Sequence, residues 1–162
     1  MDMVSLKQLL DHVATGTISV EAAAHKLKHL SLEDLDYAHI DHHRSLRKGF
    51  PEVIFGQGKT VDQIVGIMGK MIDQENIVLV TRIQAHHADH VIPRFPDAEY
   101  HEDARMIVWK KHDIPQKGKG TIIVISAGTS DIPVAKEAFL TAQVMGNKVE
   151  SVFDVGVAGI HR

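Results

Sequence analysis

Residues 121–162, TIIVISAGTSDIPVAKEAFLTAQVMGNKVESVFDVGVAGIHR, decide the fold, because they read as strand, turn, helix, strand and the start of a further helix. The apolar run Ile122–Ile125 is too short for a helix and rich in β-branched residues, which predicts a buried strand. It empties into Ser126–Asp131, SAGTSD, a small, hydroxylated stretch. Asp131 and Pro133 then open a helix with Val134, Ala135, Ala138, Phe139, Ala142 and Met145 as its apolar positions and Gly146 as its stop. Val149–Val155 returns as a second strand, so the unit is βαβ, and strands joined in this way are normally parallel.

The turn after a parallel strand presents unpaired N–H groups at the positive end of the next helix, which suits a phosphate or carboxylate. Two such turns follow each other here. The first offers Gly128 for close backbone approach and hydroxyls on Ser126, Thr129 and Ser130. The second, DVGVAGIHR, offers room at Gly156, Ala158 and Gly159, a titratable ring at His161 and a fixed cation at Arg162. The alternative is a tight strand-to-helix turn without a ligand, and the complementary chemistry of two successive turns weighs against it. Asp154 either contributes to this site or caps the turn after its strand.

The remainder of the chain limits the function classes. A length of 162 residues allows one domain or two small ones, and 44% hydrophobic residues can build a core. Zero cysteines exclude thiolate chemistry and disulfides within these residues. No apolar run reaches membrane-span length and no signal segment opens the chain, so the expected location is the cytoplasm. A net charge of -3 argues against a nucleic-acid partner. The twelve histidines make that charge sensitive to pH below neutrality.

Leu6, Leu9, Leu10 and Val13 behind Ser5, and then Ala22, Ala23, Leu27 and Leu30 behind Ser19, predict a structural helical hairpin with a break at Gly16. Leu35–Ile40 reads as a strand, and residues 52–83 as strand, helix, strand. Between them Arg44, Arg47 and Lys48 form a basic cluster that either holds an anion or lies in a solvated turn. GQGKT at 56–60 fails as a nucleotide-binding P-loop, because the required first glycine would fall at Val53. It predicts a glycine turn into a helix capped by Thr60, with Val61, Ile64, Val65, Met68, Met71 and Ile72 as its apolar positions. His86 and His90 have helical ligand spacing, but His87 stands where a zinc protease needs its glutamate, so no metal site is assigned. Ala104–Trp109 predicts one more strand, and the segment Lys110–Gly120, broken by Pro115, the domain boundary.

SAGTSDIPVAKEA, TAQVMG and DVGVAGIHR resemble the LarB family of nickel-pincer nucleotide cofactor biosynthesis, and DHHRSLRKGFPEVIFGQGKT and LVTRI resemble its N-terminal domain. The C-terminal part is similar in turn to PurE, the aminoimidazole ribonucleotide carboxylase. Ser130 and Asp131 match the PurE Ser-Asp pair, and Ile160, His161 and Arg162 match the end of its Ser-Ala-His-Arg motif, with Gly159 and Ile160 replacing its first two residues. The implied fold is α/β: a helical hairpin and small α/β domain over 1–116, then the first part of a flavodoxin-like three-layer parallel-sheet domain over 117–162.

The implied activity is a pyridinium-3,5-biscarboxylic acid mononucleotide synthase, which carboxylates the pyridinium ring of nicotinic acid adenine dinucleotide with CO2 or bicarbonate and hydrolyses its phosphoanhydride to release AMP. The resemblance implies that Ser126, Gly128, Thr129, Ser130, Asp131, Asp154, Ala158, Gly159 and Arg162 hold the mononucleotide, and that His161 and Asp131 are the candidate catalytic groups. It implies no tightly bound cofactor, leaves a role for Mg2+ on the pyrophosphate, and implies a homo-oligomer, an octamer in full-length members. LarB uses a cysteine nucleophile far along its C-terminal domain; the present sequence has none, so the expectation is a truncated chain inactive alone. The alternatives are a nucleotide-binding or assembly module without catalysis, and a PurE-type purine carboxylase.

Overall fold

The computed structural model describes residues 3–28, 33–35, 38–40, 50 and 52–156. Helices α1 (Met3–Ala14) and α2 (Val20–Lys28) form the expected hairpin. Gly16 turns the chain at φ 73°, and the Ser19 hydroxyl accepts from the Ala22 N–H at 3.1 Å, closing the second helix start. Leu9 and Ala23 are the buried residues of the pair, whereas the predicted core residue Leu10 is 53% exposed. In place of one strand over 35–40 there are two short antiparallel strands, β1 (Glu33–Leu35) and β2 (Ala38–Ile40). The acidic residues Glu33 and Asp34 had left the apolar alternation too weak to set their limits.

The next unit is a four-stranded sheet of order β3-β4-β6-β5, formed by β3 (Val53–Phe55), β4 (Ile77–Thr81), β5 (Ala98–His101) and β6 (Met106–Lys110). β3 and β4 are parallel and joined through α3 (Val61–Gln74), as the strand, helix, strand reading requires. β6 runs antiparallel to both of its neighbours. Thr60 caps α3: its hydroxyl accepts from the Gln63 N–H at 3.3 Å, and the Gln63 side chain accepts from the Thr60 N–H at 3.0 Å, a closed capping box. The short helix α4 (Ala85–Val91) carries the histidine cluster and ends before Pro93.

Period-two alternation splits this sheet into two apolar faces. Val78, Val80, Ile107 and Trp109 pack with Ile64, Ile67, Met68 and Met71 of α3 and Ala88 and Val91 of α4. Leu79, Met106 and Val108 point the other way. They are covered by Leu140 and Val144 of α5 (Ile132–Val144), the helix of the C-terminal βαβ unit. That unit is as expected in order and direction: β7 (Thr121–Ile125) and β8 (Lys148–Val152) are parallel, with Thr121 opposite Lys148 and Ile125 opposite Val152. The protein is therefore mixed α/β, with α5 lying between two sheets. Among the described residues no helix is long and apolar enough to cross a membrane.

Two expectations about burial are corrected. β7 is not buried: Ile123 and Ile125 are 56% and 65% exposed. β7 and β8 make a two-stranded sheet among the described residues, and α5 covers one side of it, where Ser151 shares a cleft with Phe139 and Leu140. Alternation sends Ile123, Ile125 and Val152 to the other side. The apolar face of α5 is also not the predicted one: Val134 and Ala138 are exposed, and Ala135, Leu140 and Val144 are buried. A helix between two layers buries two sides, so no single stripe marks it.

Candidate functional site

The strand-to-helix turn is built by hydrogen bonds that continue the β7–β8 ladder past the strands. Ser126 N–H donates to the Val152 carbonyl at 3.1 Å, Val155 N–H to the Ser126 carbonyl at 3.2 Å and Gly156 N–H to the Ala127 carbonyl at 2.9 Å. Asp154 lies between, at φ 60°, and this left-handed residue lets the chain skip one pairing and return to the ladder. Gly156 is needed for the close approach, since a Cβ there would sit 2.9 Å from the Ala127 oxygen. The first turn thus lies beside the start of the second, Asp154–Gly156.

Beyond Ala127 the chain enters α5 through one 3-10 turn, Thr129–Asp131. Asp131 closes it from both ends: its N–H donates to the Gly128 carbonyl at 3.0 Å, and its Oδ2 accepts from the Gly128 N–H at 3.0 Å. The N–H groups of Thr129 and Ser130 bond to no described residue, which leaves them as donors at the positive end of a helix of 13 residues. Ser126 is 7% exposed, and its Oγ is the buried side-chain oxygen without a hydrogen-bond partner among the described residues. A buried hydroxyl costs free energy until it finds a hydrogen-bond partner, whether water, ligand or protein.

The structure brings together Ser126, Gly128, Thr129, Ser130 and Asp131 in one turn and sets Asp154 in the adjoining one. Ala158, Gly159, His161 and Arg162 lie outside the described residues, as do Arg44, Arg47 and Lys48. Among the described residues no three His, Cys, Asp or Glu side chains are grouped as metal ligands. The larger clefts are elsewhere, along the joint between α5 and the four-stranded sheet. One of about 480 Å³ has Asp97, Glu99, Lys110 and Asp113 on its rim, and one of about 570 Å³ is lined by Lys136, Phe139 and Phe153. What the turn offers a ligand is backbone donors and a hydroxyl, without the volume of either cleft.

Sequence reasoning missed the attachment of this site to the N-terminal sheet. Glu137 of α5 accepts from Arg82 Nε at 3.2 Å, and Lys136 pairs with Asp103 of the 3-10 turn before β6. Nothing local in LVTRI or in SDIPVAKEA announces these pairs, because each joins residues far apart in the chain.

The fold defines a mixed α/β protein with a strand-to-helix turn on its C-terminal βαβ unit. Residues 32–111 match the LarB/PurE-like N-terminal domain, so that part of the chain is LarB-like. It is 32% identical over 164 aligned residues to an uncharacterized protein of Methanocaldococcus jannaschii. The alignment takes in 98% of the present chain and spans 64% of that relative's length.

Proposed function

We propose that the chain is part of a carboxylase/hydrolase that makes pyridinium-3,5-biscarboxylic acid mononucleotide from nicotinic acid adenine dinucleotide, and that the Ser126–Asp131 turn holds the mononucleotide phosphate and ribose. The observation that supports the ligand assignment is one turn holding a buried Ser126 Oγ and Thr129 and Ser130 N–H groups that have no hydrogen-bond partner among the described residues. The LarB/PurE-like domain over 32–111 supports a carboxylase-related enzyme class.

In this reading Asp131 has a division of labour. Its Oδ2 is spent on the Gly128 N–H, fixing the turn, and its other oxygen accepts a ribose hydroxyl. Arg162 pairs with phosphate and His161 carries a proton. A pyridinium ring is electron-poor and does not attack CO2 until a nucleophile adds to the ring and makes a neighbouring carbon enamine-like. The chain has no cysteine to do this, so in this reading its residues bind and orient the nucleotide. Mg2+ on the pyrophosphate, bicarbonate as carbon source and assembly into a homo-oligomer in the cytoplasm complete the reading.

The absence of cysteine is also what favours a second reading, a nucleotide-binding module without turnover. Calorimetric titration with nicotinic acid adenine dinucleotide, paired with an assay for AMP release in the presence of bicarbonate, tests both. Binding is expected, with no AMP from these residues alone. Failure to bind either this dinucleotide or nicotinic acid mononucleotide would overturn the ligand assignment.

A further inference from the structure

Arg82 is placed in a way the nucleotide turn alone does not explain. It follows β4 directly, between buried Thr81 and fully buried Ile83, and its backbone is left-handed at φ 52°. That region is uncommon for a residue with a Cβ and persists where surrounding bonds over-determine it. Two bonds do so here: Gly56 N–H to the Thr81 carbonyl at 2.7 Å, and Ile83 N–H to the Arg105 carbonyl at 3.0 Å. The result carries the side chain off the sheet, with its guanidinium 5.9 Å from the centre of the Phe55 ring and its Nε on Glu137.

Glu137 lies six residues beyond Asp131, about 9 Å along the helix at 1.5 Å per residue. Its neighbour Lys136 is held by Asp103. One turn further, Leu140 and then Val144 pack on Leu79, Met106 and Val108. Apolar contact alone lets a helix roll or slide by fractions of a turn. Two ion pairs of opposite sense at adjacent helix positions, reaching to two different segments of the sheet, remove that freedom. Arg82 lies over the Phe55 ring and leaves the strand on a left-handed backbone, so among the described residues it has a second hold that Lys136 lacks.

We infer that Arg82 is a positioning residue: through Glu137 it sets the rotation and height of α5 on the four-stranded sheet, and so the geometry of the Gly128–Asp131 turn. The N-terminal domain then acts as the platform that keeps the turn in its ligand-ready form. The part of this inference that concerns a nucleotide rests on the function proposed above.

The test uses Arg82→Gln, Glu137→Gln and the exchanged pair Arg82→Glu/Glu137→Arg, each compared with the parent protein. Three quantities are measured: amide hydrogen exchange at Gly128 and Asp131, the dissociation constant for nicotinic acid adenine dinucleotide, and the urea midpoint. Each single variant should raise Gly128 exchange and the dissociation constant by about two- to five-fold, the scale of a partly exposed ion pair. The exchanged pair should recover most of both, which a residue acting by direct contact with an anionic ligand would not allow. Unchanged Gly128 exchange in the single variants, or no recovery in the exchanged pair, overturns the inference. If the parent protein binds no dinucleotide, the ligand assignment fails while the exchange data still decide the role of Arg82.

Discussion

Replacing Ser126 by alanine should make the empty protein more stable and its ligand complex weaker. The hydroxyl is buried and has no partner among the described residues, so it bears a desolvation cost of about 1–3 kcal/mol that none of them repays. Alanine removes the oxygen and keeps Cβ. The backbone bonds at this residue, to Val152 and from Val155, do not involve the side chain. A small void left by the oxygen offsets part of the gain, so the net expectation is about 1 kcal/mol, or about 2–4 °C in Tm. With a nucleotide bound the sign reverses: loss of one hydrogen bond, worth about 0.5–1.5 kcal/mol, should weaken binding by roughly two- to twelve-fold. Urea unfolding by linear extrapolation and calorimetric titration on the same samples give both numbers. A less stable Ser126→Ala protein would mean the hydroxyl has a partner, and an unchanged dissociation constant would remove it from the ligand site.

Three further outcomes follow from close contacts and burial. Gly56→Ala would place a Cβ 2.9 Å from the Thr81 oxygen, 3.2 Å from Val80 Cγ1 and 3.3 Å from Ile83 Cβ, all on rigid groups; a loss of about 1–3 kcal/mol is expected in urea unfolding, and a neutral result would contradict the packing at the sheet end. Gly156→Ala meets the Ala127 oxygen at 2.9 Å and should part the two turns, weakening nucleotide binding by a larger factor than it changes unfolding; equal binding would show that the second turn plays no part. Burial holds the Tyr100 proton above the ordinary tyrosine range, with Glu102 and Asp89 adding to the effect and Arg105 opposing it. A folded pKa above the unfolded one gives stability that is intact below about pH 10 and lost as pH rises through the folded value. Ultraviolet titration of Tyr37→Phe, which leaves Tyr100 as the remaining tyrosine, should show the raised midpoint, and an ordinary one would refute it.

What the sequence made legible was local and periodic. The Thr60 cap, the α3 stripe, the β4 run and the β7-α5-β8 order all rest on signals within a few residues of one another, and each stands where expected. The place of the turn between strand and helix was legible for the same reason: Ser126 to Asp131 is one continuous motif. What failed depended on partners distant in the chain. The exposure of Ile123 and Ile125 follows from α5 covering the other face of β7, which its own composition does not encode. Leu140 and Val144 were overlooked because their burial comes from Met106 and Val108, more than thirty residues earlier. β5 was missed outright, since AEYH has one strong strand former and is held by pairing to β6.

The helix shared between the two sheets has a practical consequence for dividing the protein. The chain crosses from one unit to the other in the segment after Lys110, and that crossing is itself pinned to the end of α5. Lys117 and Gly118 N–H both donate to the Gly146 carbonyl, and Gly146, at φ 84°, lies where a Cβ would meet the Pro115 oxygen at 2.7 Å. A chain cut at residue 116 would carry the whole four-stranded sheet and yet present Leu79, Met106 and Val108 to water, at about 1.5–3 kcal/mol for each large side chain uncovered. Expressed alone, such a piece should aggregate or recruit a substitute for α5, and the remaining βαβ segment would lose the surface on which its helix is seated. The point where the sequence changes character is a seam in the chain and not a seam in the hydrophobic core.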